Sequence, residues 1–242
     1  MTEIQMEHVS FAYEKDNYVL KDINIKAKGA ESIGLIGANG IGKSTLMKML
    51  VGLNLNFEGR VLVDGTPIEK NTLNEIRKKI GYVFQDSDNQ LFLSTAYEDI
   101  AFGPRNYGFS DEEVEKRVSR ALELTGIAHL RDRQTYKMSG GEKKLVSIAT
   151  ILSMEPEIIL MDEPSIALDP RNRRNLIHIL NSFHQLKIIA SHDLDMIWDT
   201  CERTILMADK KVICDGDTKE ILSNQKLLEE NGLELPLRLM QQ

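Results

Sequence analysis

The chain has 242 residues, of which 42% are hydrophobic and 28% are charged, and it carries a formal net charge of −7 at pH 7. This length suits one sizeable domain, or a core with an attached subdomain. The acidic balance offers no general basic surface, which argues against a nucleic-acid partner. No apolar run approaches the roughly 18 residues of a membrane span, and the first residues lack the features of a signal peptide. The two cysteines, Cys201 and Cys214, make neither a disulfide framework nor a zinc site, so we expect buried or idle thiols in a reducing cytosol.

Short apolar and alternating segments predict several strands in the first part of the chain. These strands are expected at about residues 4–11, 19–25, 32–36, 60–63 and 81–84. Asp64 and Gly65 form a hairpin signal, so we expect an antiparallel β layer beside the main sheet. Helices are expected to begin near Thr45, after a glycine-rich loop, and near Asn71.

Residues 86–154 have a predominantly helical pattern. Ser110 and Glu113 have the spacing of a capping box, and the apolar periodicity that follows them ends at Gly126. A further helix is expected to begin at Gly140 and to end near Leu152. The sequence therefore predicts a helical subdomain, at about residues 86–154, that is inserted into an α/β core.

After Pro156 the pattern alternates again between strands and helices. Asp169 and Pro170 suit the N-cap and the first position of a helix. Strands are expected at residues 158–161, 186–190, 203–207 and 211–214, and a further helix at 193–200. This alternation predicts an α/β fold with a mostly parallel sheet.

The glycine-rich loop between the third predicted strand and the next helix reads GANGIGKS, from Gly37 to Ser44, and matches the phosphate-binding pattern G-x-x-x-x-G-K-[ST]. Glycine lets the backbone curve around an anion, so that N–H groups and the positive end of the following helix face the phosphates. We expect Lys43 to contact the β- and γ-phosphates of ATP, and the hydroxyl of Ser44 to bind Mg²⁺. The alternative is a glycine-rich turn with a solvated lysine, which the flanking strand and helix disfavour.

Polar residues also follow three other predicted core strands, as Gln85, Asp162-Glu163 and Ser191-His192. In parallel α/β sheets the ligand lies beyond the carboxyl ends of the strands. We therefore expect these residues to meet around one γ-phosphate. Their shared position supports this interpretation, because none of them is decisive alone.

Each of these residues has a predicted role and a structural alternative. Asp162 follows four apolar residues, as a Mg²⁺-associated aspartate does, and Glu163 is placed to act as the general base for an attacking water. A surface turn is the alternative for this pair. We expect His192 to contact the γ-phosphate or the water, although a packing histidine would be the usual interpretation of it alone. Gln85 by itself is a weak signal.

A second helix start suited to an anion occurs at Ser139-Gly140-Gly141-Glu142. A serine hydroxyl and two glycines open this helix, where backbone N–H groups and the helix dipole favour negative charge. One ATP needs only one phosphate loop, so this segment predicts that a second part of the protein also contacts phosphate. The alternative is an ordinary capped helix.

Together these segments resemble the ATP-binding cassette (ABC) ATPases, over nearly the whole chain. GANGIGKST is similar to the Walker A motif, IILMDE to Walker B, MSGGE to the LSGGQ signature and SIALD to the D-loop. The resemblance implies a P-loop core with an antiparallel β subdomain and an inserted helical subdomain, all within one nucleotide-binding domain over 1–242. It implies that ATP is bound by Tyr13, Gly37, Asn39, Gly40, Gly42, Lys43, Ser44, Thr45 and Gln85.

The same resemblance assigns the remaining roles. Mg²⁺ ligands are expected to be Ser44, Gln85 and Asp162, and the catalytic residues Glu163 and His192. The family works as a head-to-tail dimer, so a second ATPase subunit is expected, most simply an identical one. The signature residues of one subunit would contact the ATP of the other, and Asp169 in the D-loop would lie between the subunits. The signature residues are Ser139, Gly140, Gly141 and Glu142. In this sequence Glu142 stands where the signature usually has glutamine, and Met138 where it has leucine.

The text from Phe84 to Phe92 and from Ile100 to Pro104 resembles the ATPases of energy-coupling-factor importers. That implies an ATPase at the cytoplasmic face of the membrane, peripheral to a transmembrane coupling subunit and a substrate-binding membrane subunit. The C-terminal end, around Leu233 to Leu237, is more similar to the cobalt and nickel branch than to the vitamin branch. A vitamin importer, a soluble ATP-dependent switch and a regulatory module without turnover remain alternatives.

Within that resemblance, residues 85–92 and the helical insertion would form a docking groove for the membrane partner. Leu91 and Phe92 are candidates to fill a partner's pocket, and Asp86 and Asp88 to pair with its arginines. The alternative is that Leu91 and Phe92 pack into the core of the insertion itself.

Overall fold

The computed structural model describes residues 2–15 and 17–240. The chain forms two compact units. The first contains the residues up to Ile80, the segment Glu157–Asp162 and the residues from His184 onward. The second contains Gly81–Pro156 and Glu163–Phe183.

The first unit contains an antiparallel sheet near the N-terminus. Its strands are β1 (Glu3–Glu14), β2 (Asn17–Lys28), β4 (Phe57–Val63) and β5 (Thr66–Pro67), in the order β2-β1-β4-β5. Apolar side chains alternate with polar ones along β1 and β2, as expected when one face of an antiparallel sheet packs on a core. This is the antiparallel layer that the hairpin signal predicted.

A mostly parallel sheet forms the centre of the same unit. Its strands are β3 (Ser32–Ile36), β7 (Ile158–Asp162), β8 (Leu186–Ala190), β9 (Arg203–Ala208) and β10 (Lys211–Asp217), in the order β10-β9-β3-β8-β7. β3 pairs in parallel with β8 and β9, and β7 in parallel with β8, whereas β10 is antiparallel to β9. Every residue of β3, β7 and β8 is buried, which is typical of strands covered on both faces. The predicted α/β class is confirmed.

Among its described residues, the first unit has six α-helices. They are α1 (Lys43–Leu50), α2 (Leu73–Lys79), α7 (Leu194–Thr200), α8 (Thr218–Leu222), α9 (Gln225–Glu230) and α10 (Leu237–Met240). α1 begins directly after the glycine-rich loop, and Leu46, Met47, Met49 and Leu50 on it are buried. Burial of this apolar face fixes the helix whose N-terminus forms one wall of the loop.

The second unit is mainly helical. It contains β6 (Ile80–Val83, whose first residue ends the first unit), α3 (Ala96–Asn106), α4 (Asp111–Thr125), α5 (Gly140–Leu152) and α6 (Pro170–Asn181). α3, α4 and α5 pack against one another around apolar side chains such as Ile100, Val118 and Ile148. Asp169 caps α6 with Pro170 at its first position, as the sequence predicted.

The predicted capping box at the start of α4 is only half correct. The hydroxyl of Ser110 accepts a hydrogen bond from the backbone N–H of Glu113 at 3.3 Å. The carboxylate of Glu113 instead accepts from Nε of Arg117 at 2.8 Å. The reciprocal half of the box, in which this carboxylate would accept from the backbone N–H of Ser110, does not form.

The two cysteines are free thiols. Cys201 is buried, and this burial raises the pKa of its thiol to about 11. A thiol with such a pKa stays protonated near neutral pH and is a poor nucleophile. The burial of Cys201 agrees with the expectation of a buried or idle thiol.

Candidate functional site

The loop between β3 and α1 has the backbone conformation that the phosphate-binding pattern requires. Gly37, Gly40 and Gly42 have φ values of +149°, +77° and +109°, which side-chain-bearing residues rarely adopt. A Cβ on Gly37 would also overlap the backbone carbonyl of Met207, whereas a Cβ on Gly40 would meet no atom within 4 Å. Conformation and packing therefore both demand glycine at position 37, and conformation alone at position 40.

The side chain of Lys43 curls back over this loop and is buried. Its Nζ donates to the carbonyl of Gly37 at 2.6 Å and to that of Ala38 at 3.2 Å. Gly42 occupies the N-cap of α1 and has no side chain with which to cap it. The loop thus presents a cation and a helix N-terminus together, which is the electrostatic environment that phosphate favours.

The parallel register brings three strand ends to one edge of the central sheet. Ala190, the last residue of β8, lies opposite Leu35 of β3 on one side and Asp162 of β7 on the other. The phosphate loop, Asp162 and the Ser191-His192 pair therefore follow neighbouring strands at the same edge. The expectation of parallel neighbouring strands is confirmed for β3, β7 and β8.

His192 is held at this edge by the start of α7. Ser191 is buried, and its N–H donates to the carbonyl of Leu35 at 3.2 Å. Its hydroxyl accepts from the N–H of Asp193 at 3.1 Å, and Asp193 in turn caps α7 by accepting from the N–H of Met196 at 2.9 Å. His192 lies between these two anchored residues with an exposed side chain.

The oxygen donors of the first unit suit Mg²⁺. Ser44 offers a hydroxyl and Asp162 a buried carboxylate. Mg²⁺ prefers oxygen ligands and keeps several waters, so few protein ligands are needed. Within residues 2–15 and 17–240, no group of three or more His, Cys, Asp or Glu side chains could hold a metal ion. The residues fit a magnesium ion that arrives with a nucleotide better than a resident metal centre.

Tyr13, the predicted adenine-stacking residue, lies on β1 and points toward α1. Its hydroxyl is 3.2 Å from the hydroxyl of Thr45, and its ring makes an edge contact with Phe11 at 4.8 Å between centroids. The side chain nevertheless remains 62% exposed. A ring that is anchored at its hydroxyl and exposed on its surface is suited to stack on a base.

Glu163, the predicted general base, begins the second segment of the second unit and is buried. Its φ is +47°, and that of Ala167 four residues later is +67°. Left-handed conformations in non-glycine residues cost free energy and concentrate at functional sites. The burial of Glu163 argues against an ordinary surface turn.

The signature segment forms a capping box. The hydroxyl of Ser139 accepts from the N–H of Glu142 at 3.3 Å, and the carboxylate of Glu142 accepts from the N–H of Ser139 at 2.8 Å. Arg133 donates to the other carboxylate oxygen at 3.0 Å. The bond from the backbone N–H of Ser139 is the largest of the effects that lower the pKa of Glu142.

The D-loop packs against the two signature glycines through Ala167. A Cβ on Gly141 would come within 3.2 Å of the carbonyl of Ala167, and one on Gly140 within 3.3 Å of its Cβ. Asp169, two residues further on, uses one carboxylate oxygen to accept from the N–H groups of Arg171 and Asn172 at 2.9 and 2.8 Å. The signature is glycine-rich partly because the D-loop packs directly against it.

Gln85 follows β6 and has an exposed side chain. Its backbone carbonyl accepts a hydrogen bond from Nζ of Lys144 at 2.6 Å, and the carbonyl of Phe84 accepts from the same amine at 3.0 Å. Lys144 was not identified from the sequence, where it is one of two adjacent lysines in a helix. A periodicity analysis offers one signal, because position 144 lies on the buried face of α5.

The residues proposed to dock a partner have different environments. Leu91 is only 9% exposed and packs in the core, so the alternative interpretation is confirmed for it, whereas Phe92 is 65% exposed and makes an edge contact with Phe102. Asp88 pairs with Lys143 at 2.6 Å, and Asp86 caps the short 3-10 turn at Ser87–Asn89. Both aspartates already have partners within the chain.

The predicted site residues thus fall into two sets. The first unit holds the phosphate loop with Lys43 and Ser44, as well as Tyr13, Asp162 and His192. The second unit holds Gln85, Glu163, the signature and Asp169. A family model described as ABC transporter matches residues 20–166.

The chain belongs to the ABC transporter family. A candidate ABC transporter ATP-binding protein of Geobacter sulfurreducens is 44% identical over 236 residues, which cover 98% of this chain and 95% of the relative. The energy-coupling factor transporter ATP-binding protein EcfA of Methanocaldococcus jannaschii is 40% identical over 238 residues, covering 96% of this chain and 85% of that protein. This ABC chain is therefore an ATPase with the P-loop fold of the family.

Solved structures agree with this assignment. CbiO1 of Clostridium perfringens, described as part of the ABC transporter complex CbiONQ, has a TM-score of 0.83 and 36% identity, over 99% of this chain and 98% of that one. An ATP-binding cassette solved as a dimer in a post-hydrolysis state, bound to ADP and Pi, has a TM-score of 0.81 and 28% identity, over 89% and 98% of the two chains. Among the described residues of this ABC protein, no helix is both long and apolar enough to span a bilayer.

Proposed function

We propose that this chain is the ATP-hydrolysing subunit of an energy-coupling-factor importer, bound peripherally at the cytoplasmic face of the membrane. The seating of Lys43 in the glycine-rich loop, beside the strand ends that present Asp162 and His192, is the observation that carries the proposal. It provides a preformed cradle for a nucleoside triphosphate. The similarity to EcfA and CbiO1 supports a role in transport.

ATP binds through three features of the first unit. The backbone N–H groups from Gly37 to Thr45 and the N-terminus of α1 hold the β- and γ-phosphates. Lys43 moves its ammonium from the loop carbonyls onto the phosphate oxygens, which are stronger acceptors because they are charged. Tyr13 stacks on the adenine. Asn39, Gly40 and Gly42 complete the loop.

Ser44, Asp162 and Gln85 are the proposed ligands of the Mg²⁺ that accompanies ATP. When bound, this ion neutralises charge that develops on the phosphate oxygens during phosphoryl transfer. Glu163 accepts the proton of the attacking water, an effect worth roughly 10²–10⁴-fold in rate. His192 holds the γ-phosphate or the water in line.

The signature acts on the ATP of a second subunit. Ser139, Gly140, Gly141 and Glu142 form a helix start that favours an anion, and ATP already occupies the chain's own phosphate loop. A head-to-tail homodimer with Asp169 between the subunits places each signature against the partner's nucleotide. The dimeric cassette similar to this chain supports dimerisation.

The proposed membrane partners are a transmembrane coupling subunit and a substrate-binding subunit. We propose a transition-metal ion such as cobalt or nickel as the transported substrate. The segment around Leu233 to Leu237 resembles the cobalt and nickel branch, and CbiO1 is a structural neighbour. Reconstitution with the membrane proteins that co-purify with the chain tests this. ATP-driven uptake of labelled cobalt or nickel supports it, and uptake of a vitamin instead overturns it.

Hydrolysis itself is tested with purified protein. We expect Glu163→Gln to bind ATP with little loss of affinity, to lose at least about 100-fold in turnover, and to accumulate as a dimer with ATP. Lys43→Ala is expected to lose nucleotide affinity instead. Wild-type turnover in Glu163→Gln would contradict the role of general base.

A further inference from the structure

Three side chains tie the segment that carries Gln85 to the helix that begins at the signature. This segment, residues 84–90, is called the Gln85 segment below. Lys144 donates to the carbonyls of Phe84 and Gln85, and Lys143 pairs with Asp88 at 2.6 Å. Gln90 donates to the carbonyl of Ser147 and the hydroxyl of Thr150, both at 2.8 Å. All three contacts join the Gln85 segment to α5.

Lys144 is the buried member of this set. It is 2% exposed and is among the largest fully buried side chains of the chain. Burying an ammonium is costly unless polar groups replace its water, and the carbonyls of Phe84 and Gln85 do so. Lys143 is more exposed and its partner Asp88 is largely solvated, so that ion pair contributes little by comparison.

We propose that Lys144 is a positioning residue, which fixes the backbone of Gln85 to the signature helix and thereby sets the place of the Gln85 side chain. The inference rests on the proposed role of Gln85 as a ligand of the Mg²⁺ that accompanies ATP. Two carbonyls on one amine restrain both position and orientation of the peptide between Phe84 and Gln85. A freely moving exposed glutamine would otherwise spend entropy on each binding event.

The same contact joins the backbone of Gln85 to the first turns of the signature helix. α5 begins at the capping box of Ser139 and Glu142, and Lys144 lies on the same helix five positions after Ser139. A helix is stiff over so short a length, so the backbone of Gln85 and the hydroxyl of Ser139 move together.

The experiment measures ATP affinity by calorimetry with and without Mg²⁺ in a Glu163→Gln background, where turnover is expected to be at least about 100-fold slower. Lys144→Met is expected to leave the affinity for ATP without Mg²⁺ unchanged. The gain in ATP affinity that Mg²⁺ produces is expected to fall roughly tenfold, as it does when a group supporting a metal ligand is lost. Lys144→Arg keeps the charge and the donors and is expected to restore most of the effect. Lys116→Met is the matched control, because that lysine is on α4 of the same unit with a side chain 76% exposed.

A double-mutant cycle separates positioning from a general loss of structure. If Lys144 acts through Gln85, then Lys144→Met adds nothing in a Gln85→Ala protein. Additive losses, or an unchanged Mg²⁺ effect in Lys144→Met, would overturn the inference. Should Lys144→Met fail to fold, Lys144→Gln, which keeps a donor without the charge, is read in the same way.

The measurement also distinguishes this inference from the proposed function. ATP binding without Mg²⁺ depends on the phosphate loop and not on Lys144. Absence of that binding in the Glu163→Gln protein would contradict the ATP site itself. If ATP binds and Mg²⁺ raises its affinity equally with and without the Lys144 substitution, only the positioning role is contradicted.

Discussion

Ser139 and Glu142 cap one another at the start of α5. The serine hydroxyl accepts a hydrogen bond from the backbone N–H of the glutamate, and the glutamate carboxylate accepts one from the backbone N–H of the serine. Arg133 neutralises the carboxylate from the other side. The glutamate that replaces the usual signature glutamine is therefore engaged within the chain, and its negative charge is compensated at a helix start proposed to meet phosphate.

We expect Glu142→Ala to lower the free energy of unfolding by about 1 kcal/mol, since a capping interaction and its reciprocal partner are lost. Glu142→Gln is the matched control, because glutamine can accept the same bond from Ser139. The measurement is urea denaturation of both variants beside the wild type. Equal destabilisation by the two substitutions would show that charge, rather than capping, is the property that matters.

The pH dependence of stability tests the same carboxylate. The backbone N–H of Ser139 lowers the pKa of Glu142 below the usual value of a glutamate side chain. A group with a lowered pKa in the folded state stabilises the fold above its unfolded pKa, and this contribution is lost as the pH falls through the folded pKa. The stability advantage of wild type over Glu142→Gln should therefore shrink as urea denaturation is repeated from pH 6 down to pH 3.

A constant difference between the two proteins over that range would contradict the assignment. Other carboxylates titrate in the same window, notably Glu115, whose pKa is lowered to about 2, chiefly by hydrogen bonds from Arg131. They are present in both proteins and cancel in the comparison. For that reason the difference is the informative quantity, and not the absolute stability of either protein.

The sequence predicted the local parts of the site and not the contacts that hold them. The phosphate loop, Asp162 and the helix start at Ser139 are short linear patterns whose chemistry fixes residue type and spacing. Lys144 contacts Gln85 across 59 positions of the chain, and no linear pattern records such a pairing. Adjacent lysines on a helix look alike in sequence, and only packing shows which of them is buried.

Strand order illustrates the same limit. The buried runs at β3, β7 and β8 were predicted within a residue because continuous apolar segments bounded by turn signals are distinctive. That β3 lies between β8 and β9 depends on how the connecting helices pack, which the runs themselves do not encode. The start of α3 was also not predicted. Its capping residue Thr95 forms a capping box with Glu98, within a segment whose pattern is otherwise uniformly helical.

Substitutions at two glycines of the phosphate loop should have unequal effects on stability. Gly37→Ala is expected to destabilise the protein by at least about 2 kcal/mol, since both backbone strain and overlap with the carbonyl of Met207 act against it. For Gly40→Ala only the left-handed backbone conformation is unfavourable, and the expected destabilisation is about 1 kcal/mol. Thermal unfolding without nucleotide measures both variants. A larger loss for Gly40→Ala would contradict the loop geometry.

Leu91 and Phe92 are neighbours with opposite environments, and they separate folding from docking. Leu91→Ala removes a buried side chain and is expected to cost about 2–4 kcal/mol of stability, whereas Phe92→Ala removes an exposed ring and should cost less than about 1 kcal/mol. Only Phe92→Ala is expected to weaken co-purification with the membrane partner while ATP turnover in solution stays unchanged. Phe92→Tyr, which keeps the ring, is the control. If Phe92→Ala retains the partner at the wild-type level, the docking surface does not include this ring and must be sought elsewhere on the second unit.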